Sequence, residues 1–147
     1  MYKLLIVCTG NTCRSPMLEA MLKAKTKKYN KKLEVKSAGV SVIVGSKVEK
    51  NARLALKDYG MIIRHTPTKI STIDLERADT VIAVTEDHKR FFEGHKYYNK
   101  VFSLRETVGF NLTDPYGYDL NEYKDCAKRI DVASDLIIEK LIEAGKI

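Results

Sequence analysis

Leu4-Leu5-Ile6-Val7-Cys8-Thr9-Gly10-Asn11-Thr12-Cys13-Arg14-Ser15-Pro16-Met17 passes from an apolar run through small polar residues into a helix start. Residues 2–8 read as a buried strand. Residues 16–29 read as a helix with Ser15 placed to cap it, Pro16 at the favoured first position, and Met17, Leu18, Met21, Leu22 and Ala24 on its buried stripe. The loop between them can turn backbone N–H groups, the positive end of a helix and a forked guanidinium onto an oxyanion, with a thiol at the same point. Gly10 and Asn11 are the residues expected to accept the left-handed backbone that such a cradle needs. The helix terminus and Arg14 both favour the thiolate form of Cys8, so the pattern implies phosphate chemistry on a cysteine.

Outward from this unit, strand and helix patterns alternate. Residues 33–37 form a second strand closed by Ala38-Gly39, and residues 48–59 a helix stopped by Gly60. Residues 80–85 are apolar and β-branched enough to be buried on both faces, a helix is expected over 86–93, and residues 100–104 make a fourth strand. Residues 121–144 are a closing helix, with Tyr123, Ala127, Ile130, Ala133, Ile137, Leu141 and Ala144 on its apolar face. The expectation is a single α/β domain over 1–147, a four-stranded parallel sheet of order 2-1-3-4 with helices on both faces. Residues 105–120 lack periodicity, contain Asp114-Pro115-Tyr116-Gly117, and read as a long loop at the carboxyl end of the sheet, where ligands bind in such folds.

The chain of 147 residues suits one domain, shows no internal repeat, and has an opening apolar run too short for a leader or a membrane span. Its three Cys cannot all pair, so reduced thiols and a cytoplasmic setting are expected, with no metal or other cofactor and no membrane partner. Combining Cys8 or Cys13 with His88 or His95 matches no structural zinc spacing. The net charge of +7 includes Lys23, Lys25, Lys27, Lys28, Lys31 and Lys32. Without interleaved aromatics these read as a solvated helix face rather than a nucleic-acid surface.

Asp114 is the candidate general acid: thiolate attack on phosphorus expels a group that needs a proton, and the same carboxylate, once ionised, can activate water. A phosphate-binding module without catalysis is the alternative, but a Walker loop needs Gly-Lys-Ser/Thr where this chain has Cys-Arg-Ser.

Val7 to Pro16, with Glu19-Ala20, Ser37-Ala38-Gly39, His65 and the distant Asp114-Pro115-Tyr116, closely resembles the low-molecular-weight protein-tyrosine-phosphatase family over nearly the whole chain. The resemblance implies a flavodoxin-like, phosphotyrosine phosphatase I-like fold and a monomeric enzyme that acts on phosphorylated proteins through a phosphocysteine. By position it implies Cys8 as nucleophile, Arg14 as phosphate clamp and Asp114 as acid then base. Thr9, Gly10, Asn11, Thr12, Cys13 and Ser15 line the phosphate site, with Tyr116 as an aromatic flank. Asn11, Ser15, Ser37 and His65 form the network that holds the loop open. Cys13 matches a second loop cysteine able to form a reversible disulfide with Cys8, whereas Cys126 reads as packing. Cys-Thr-Gly-Asn-Thr-Cys-Arg-Ser-Pro resembles the bacterial protein-arginine phosphatases of that family, so Thr12 favours phosphoarginine, with phosphotyrosine the alternative. Thioredoxin-coupled arsenate reductases share the loop but need two further cysteines, and this chain has only Cys126 outside it.

Overall fold

In the computed structural model, which describes residues 1–147, β1 (Lys3–Cys8) is one of two inner strands of a parallel sheet ordered β2-β1-β3-β4. β2 (Glu34–Gly39) and β4 (Val101–Ser103) form its edges, and β3 (Thr80–Ala83) lies between β1 and β4. Alternate residues of β1 enter different cores. Leu4, Ile6 and Cys8 belong to a larger cluster on one face, while Leu5 and Val7 join a smaller one on the other. That two-sided burial is why the strand reads as an unbroken apolar run.

The larger core is closed by α1 (Arg14–Lys28), α2 (Lys50–Lys57) and α6 (Leu120–Glu143). The opposite face is covered by α3 (Thr72–Arg77) and by Phe92, which follows α4 (Glu86–Arg90). α5 (Leu104–Val108) leaves β4 directly. The architecture and strand order are those expected, and no helix is long and apolar enough to cross a membrane.

Several local expectations are corrected. Helix α1 begins at Arg14 with Cys13 at its N-cap, so Ser15 lies inside the first turn, where its hydroxyl serves the loop rather than a cap. Asn11 is left-handed at φ 57°, but Gly10 is not, so one residue makes the turn expected of two. α3, α5 and a 3-10 turn at Tyr98–Lys100 were absent from the periodicity. α3 and α5 are too short to show a helical stripe, and both instead begin with capping boxes, Ser71 with Asp74 and Ser103 with Glu106. Ala144 is exposed at the end of α6, after the helix has outrun the core.

The lysine cluster is not uniformly solvated either. Lys25 Nζ lies 2.5 Å from Asp131 Oδ1 and 2.7 Å from Asp135 Oδ2, pinning α1 to α6, and Lys23 pairs with Glu19.

Candidate active site

The carboxyl ends of the two inner strands carry the site. Cys8 ends β1 in register with Gly39 of β2, and the loop returns as α1 at Arg14. Val40 N–H donates to Cys8 O (3.0 Å) and Ser41 N–H to Thr9 O (2.9 Å), lacing the loop to the chain that leaves β2. The approach is tight: a Cβ on Gly39 would lie 2.5 Å from Thr9 O and 3.1 Å from Asn11 N. Only glycine fits there.

Asn11 is fully buried and uses both ends of its amide. Its Nδ2 donates to Ser15 Oγ (2.8 Å) and Ser37 Oγ (2.9 Å), and its Oδ1 accepts from Thr68 N–H (2.9 Å) and His65 Nε2 (2.6 Å). These bonds hold its left-handed backbone against the strain of that region. Burial lowers the His65 pKa below its ordinary value, opposed by Glu19, whose carboxylate lies 3.8 Å from Nδ1. A neutral imidazole with its proton on Nε2 matches an acceptor at Asn11 Oδ1. Because Ser15 Oγ accepts from Asn11, its own proton is free for Cys8 Sγ, 2.7 Å away. A thiolate there receives a directed hydrogen bond.

Arg14 is buried, and its Nη1 donates to Leu112 O (3.0 Å). Leu112 N–H in turn donates to Val84 O, just past β3, which fixes the start of the acid loop to the sheet. Asp114 Oδ2 stands 3.5 Å from Arg14 Nη2, while its Oδ1 accepts from Tyr116 N–H (3.1 Å). The Asp-Pro-Tyr turn therefore aims one carboxylate oxygen at the phosphate clamp. The Asp114 side chain is 52% exposed, open to both a leaving group and water.

Cys8, Thr9, Gly10, Thr12, Cys13, Arg14, Asp114 and Tyr116 line one cavity of about 530 Å³. Asn11, Ser15, Ser37 and His65 are not on its wall and act behind the loop. Ile43, exposed beside Val44, lines the same cavity together with Lys47 and Glu49.

The other two thiols are buried. Burial raises the Cys13 pKa, offset in part by a 3.4 Å contact with Tyr123 Oη, and burial pushes Cys126 up to about 12. Cys126 sits on α6 in the larger core, as expected of a packing residue. Sequence reasoning missed His88 as a neighbour of the loop. It is buried in α4 with Nε2 2.7 Å from Thr9 Oγ1, and the only local signal was Thr85 three residues earlier as a helix cap.

The family model described as low molecular weight phosphotyrosine protein phosphatase matches residues 3–146. A protein-arginine-phosphatase of Geobacillus stearothermophilus is 35% identical over 151 residues, covering 95% of this chain and 96% of that one. The crystal structure of a low molecular weight protein tyrosine phosphatase from T. tengcongensis superposes with a TM-score of 0.91 at 40% identity, over 96% of this chain and 100% of that one. An arginine phosphatase mutant, YwlE with a phosphorylated active-site serine, superposes with a TM-score of 0.91 at 30% identity and 95% coverage of each chain.

Proposed function

Since the chain belongs to the low molecular weight phosphotyrosine protein phosphatase family, a family of cysteine-dependent protein phosphatases, we propose Cys8 as its nucleophile, Arg14 as its phosphate clamp and Asp114 as its acid and base. The observation that carries this reading is the convergence of those three side chains on one cavity, with Ser15 Oγ 2.7 Å from Cys8 Sγ and Asp114 3.5 Å from Arg14.

The Cys8 thiolate attacks phosphorus, and the bond from phosphorus to the leaving atom breaks as the S–P bond forms. The Arg14 fork and the loop N–H groups of Thr9, Gly10, Thr12 and Cys13 receive the charge on the equatorial oxygens. Protonated Asp114 gives its proton to the departing atom. The resulting carboxylate takes a proton from water as that water attacks the phosphocysteine, releasing inorganic phosphate and returning the thiolate, which Ser15 stabilises as a leaving group. Cys13, at the wall of the same cavity, is the proposed partner for reversible oxidation of Cys8.

Phosphoarginine is the proposed preferred side chain. The Thr12 hydroxyl at the cavity wall can meet a polar guanidinium, and relatives 35% and 33% identical to this chain are named protein-arginine-phosphatases. The same reading has the enzyme acting as a cytoplasmic monomer, 1–147 being one catalytic domain, without nucleic-acid or membrane partners. Three free thiols, one of them reactive, suit a reducing compartment.

Two sets of kinetics test it. On a small aryl phosphate, Cys8→Ser is expected to abolish turnover and Asp114→Ala to lower kcat steeply; an active Cys8→Ser protein overturns the mechanism. On phosphoarginine and phosphotyrosine peptides, the wild type is expected to prefer phosphoarginine and Thr12→Ile to shift toward phosphotyrosine. A wild-type preference for phosphotyrosine that Thr12→Ile does not move removes the substrate assignment.

A further inference from the structure

His88 is a buried imidazole with both ring nitrogens engaged, and neither bond belongs to the network behind Asn11. Its Nδ1 lies 2.7 Å from Thr85 Oγ1 and its Nε2 2.7 Å from Thr9 Oγ1. Thr85 follows β3, and Thr9 follows the nucleophile. The imidazole therefore bridges the carboxyl ends of the two inner strands.

Thr85 Oγ1 accepts from His88 backbone N–H as the cap of α4 (3.3 Å) and keeps its own proton, for which His88 Nδ1 is an acceptor at 2.7 Å. With Nδ1 accepting, the ring proton sits on Nε2 and donates to Thr9 Oγ1. Thr9 then keeps its hydroxyl proton for another acceptor, and Thr9 is one of the residues lining the phosphate cavity.

We propose that His88 is a positioning residue of the phosphatase, whose Nε2–H orients the Thr9 hydroxyl so that it donates to a phosphoryl oxygen of the substrate. The proposal rests on the assignment of the Cys8 loop as the phosphate site.

The surroundings maintain the form of the ring that this needs. Burial and the Arg14 cation push the His88 pKa down to about 4, against the opposing pull of Asp114 and Asp87. A ring with that pKa is uncharged across the neutral range, which keeps one nitrogen as acceptor and one as donor. Thr9 is meanwhile held from the other side by Ser41 N–H on its carbonyl. Its backbone and its side chain are thus fixed by different elements.

A double-mutant cycle on a small aryl phosphate tests the relay, with His88→Ala, Thr9→Val, the double variant, and His88→Gln as the variant that keeps a side-chain N–H donor. His88→Ala and Thr9→Val are each expected to lower kcat/KM about tenfold, and the double variant to be no more than about twofold worse than either single one. His88→Gln is expected to recover to within about threefold of wild type. If His88→Ala does not fold, Thr9→Val and His88→Gln decide the matter. Wild-type activity in Thr9→Val, single effects that multiply, or a folded His88→Gln enzyme losing tenfold or more would overturn the relay. A folded wild-type protein inactive on the aryl phosphate would overturn the phosphate-site assignment instead.

Discussion

Replacing Gly39 by Ala should damage catalysis from outside the cavity, and the structure sets the size of the effect. Gly39 has no left-handed backbone, so alanine meets no conformational penalty there. The obstacle is space: the new methyl would lie 2.5 Å from Thr9 O, 2.7 Å from Val42 Cγ2 and 3.1 Å from Asn11 N. Restoring an ordinary 3.4 Å contact with Thr9 O requires the loop and β2 to separate by about 0.9 Å, the difference between 3.4 and 2.5 Å. Val42 can rotate away, but Thr9 and Asn11 present backbone that is bonded to Ser41 and anchored by the Asn11 amide.

A shift approaching 1 Å in a group that positions the reaction costs roughly 10²-fold in rate. Overpacking of this kind costs about 1–3 kcal/mol, or about 2–12 °C in Tm for a chain of this size. The assay is kcat/KM on an aryl phosphate together with inhibition by inorganic phosphate and thermal melting. Gly10→Ala serves as a stability control, since its methyl would meet nothing closer than Thr12 Oγ1 at 3.7 Å. A Gly39→Ala enzyme within threefold of wild type, with unchanged phosphate inhibition, would refute the claim that the loop position depends on that contact.

Ser15→Ala removes the hydroxyl that faces Cys8 Sγ and strands a buried Asn11 N–H, so kcat/KM should fall about 10- to 100-fold, the worth of a hydrogen bond to a charged group; a smaller change in steady-state kinetics would show the bond is dispensable. Stability should decline on acidification. His88 titrates near 4 in the folded protein and near 6.5 unfolded, so the unfolded state takes up the proton first. The stability is fully present above about pH 6.5 and is lost toward pH 4, on the order of 3 kcal/mol in all, with His65 acting in the same direction. Denaturant titrations at several pH values should show His88→Gln flattening that dependence, and an identical slope in the variant would contradict it. Lys25→Met should lower stability by about 1 kcal/mol in chemical denaturation while leaving kcat/KM alone, because it breaks the bridge from α1 to Asp131 and Asp135 but keeps the buried stem.

The parts of the site that sequence made legible are those carried by short spacings. Cys8, Arg14 and the Pro16 helix start lie within one strand-loop-helix unit, and a parallel sheet brings the carboxyl end of β1 to the same edge as the loop that carries Asp114. The helices that Ser71 with Asp74 and Ser103 with Glu106 start were not legible, because they are too short for a hydrophobic stripe to appear.

By itself, the order of apolar runs determined the α/β sheet, and the motif from Cys8 to Pro16 determined the class of chemistry. Both are encoded by neighbours along the chain, where strand, helix and cap preferences act. Tertiary structure alone decided that Asn11 rather than Gly10 takes the left-handed turn, and that Ser15 faces the nucleophile instead of capping α1. It also decided that Gly39 leaves room for the loop and that His88 reaches Thr9. Each of these depends on a partner elsewhere in the chain: Asn11 on Ser37, His65 and Thr68, Ser15 on Cys8, Gly39 on Thr9, and His88 on Thr9; a buried hydrogen bond or a backbone contact has no period in the sequence that specifies it.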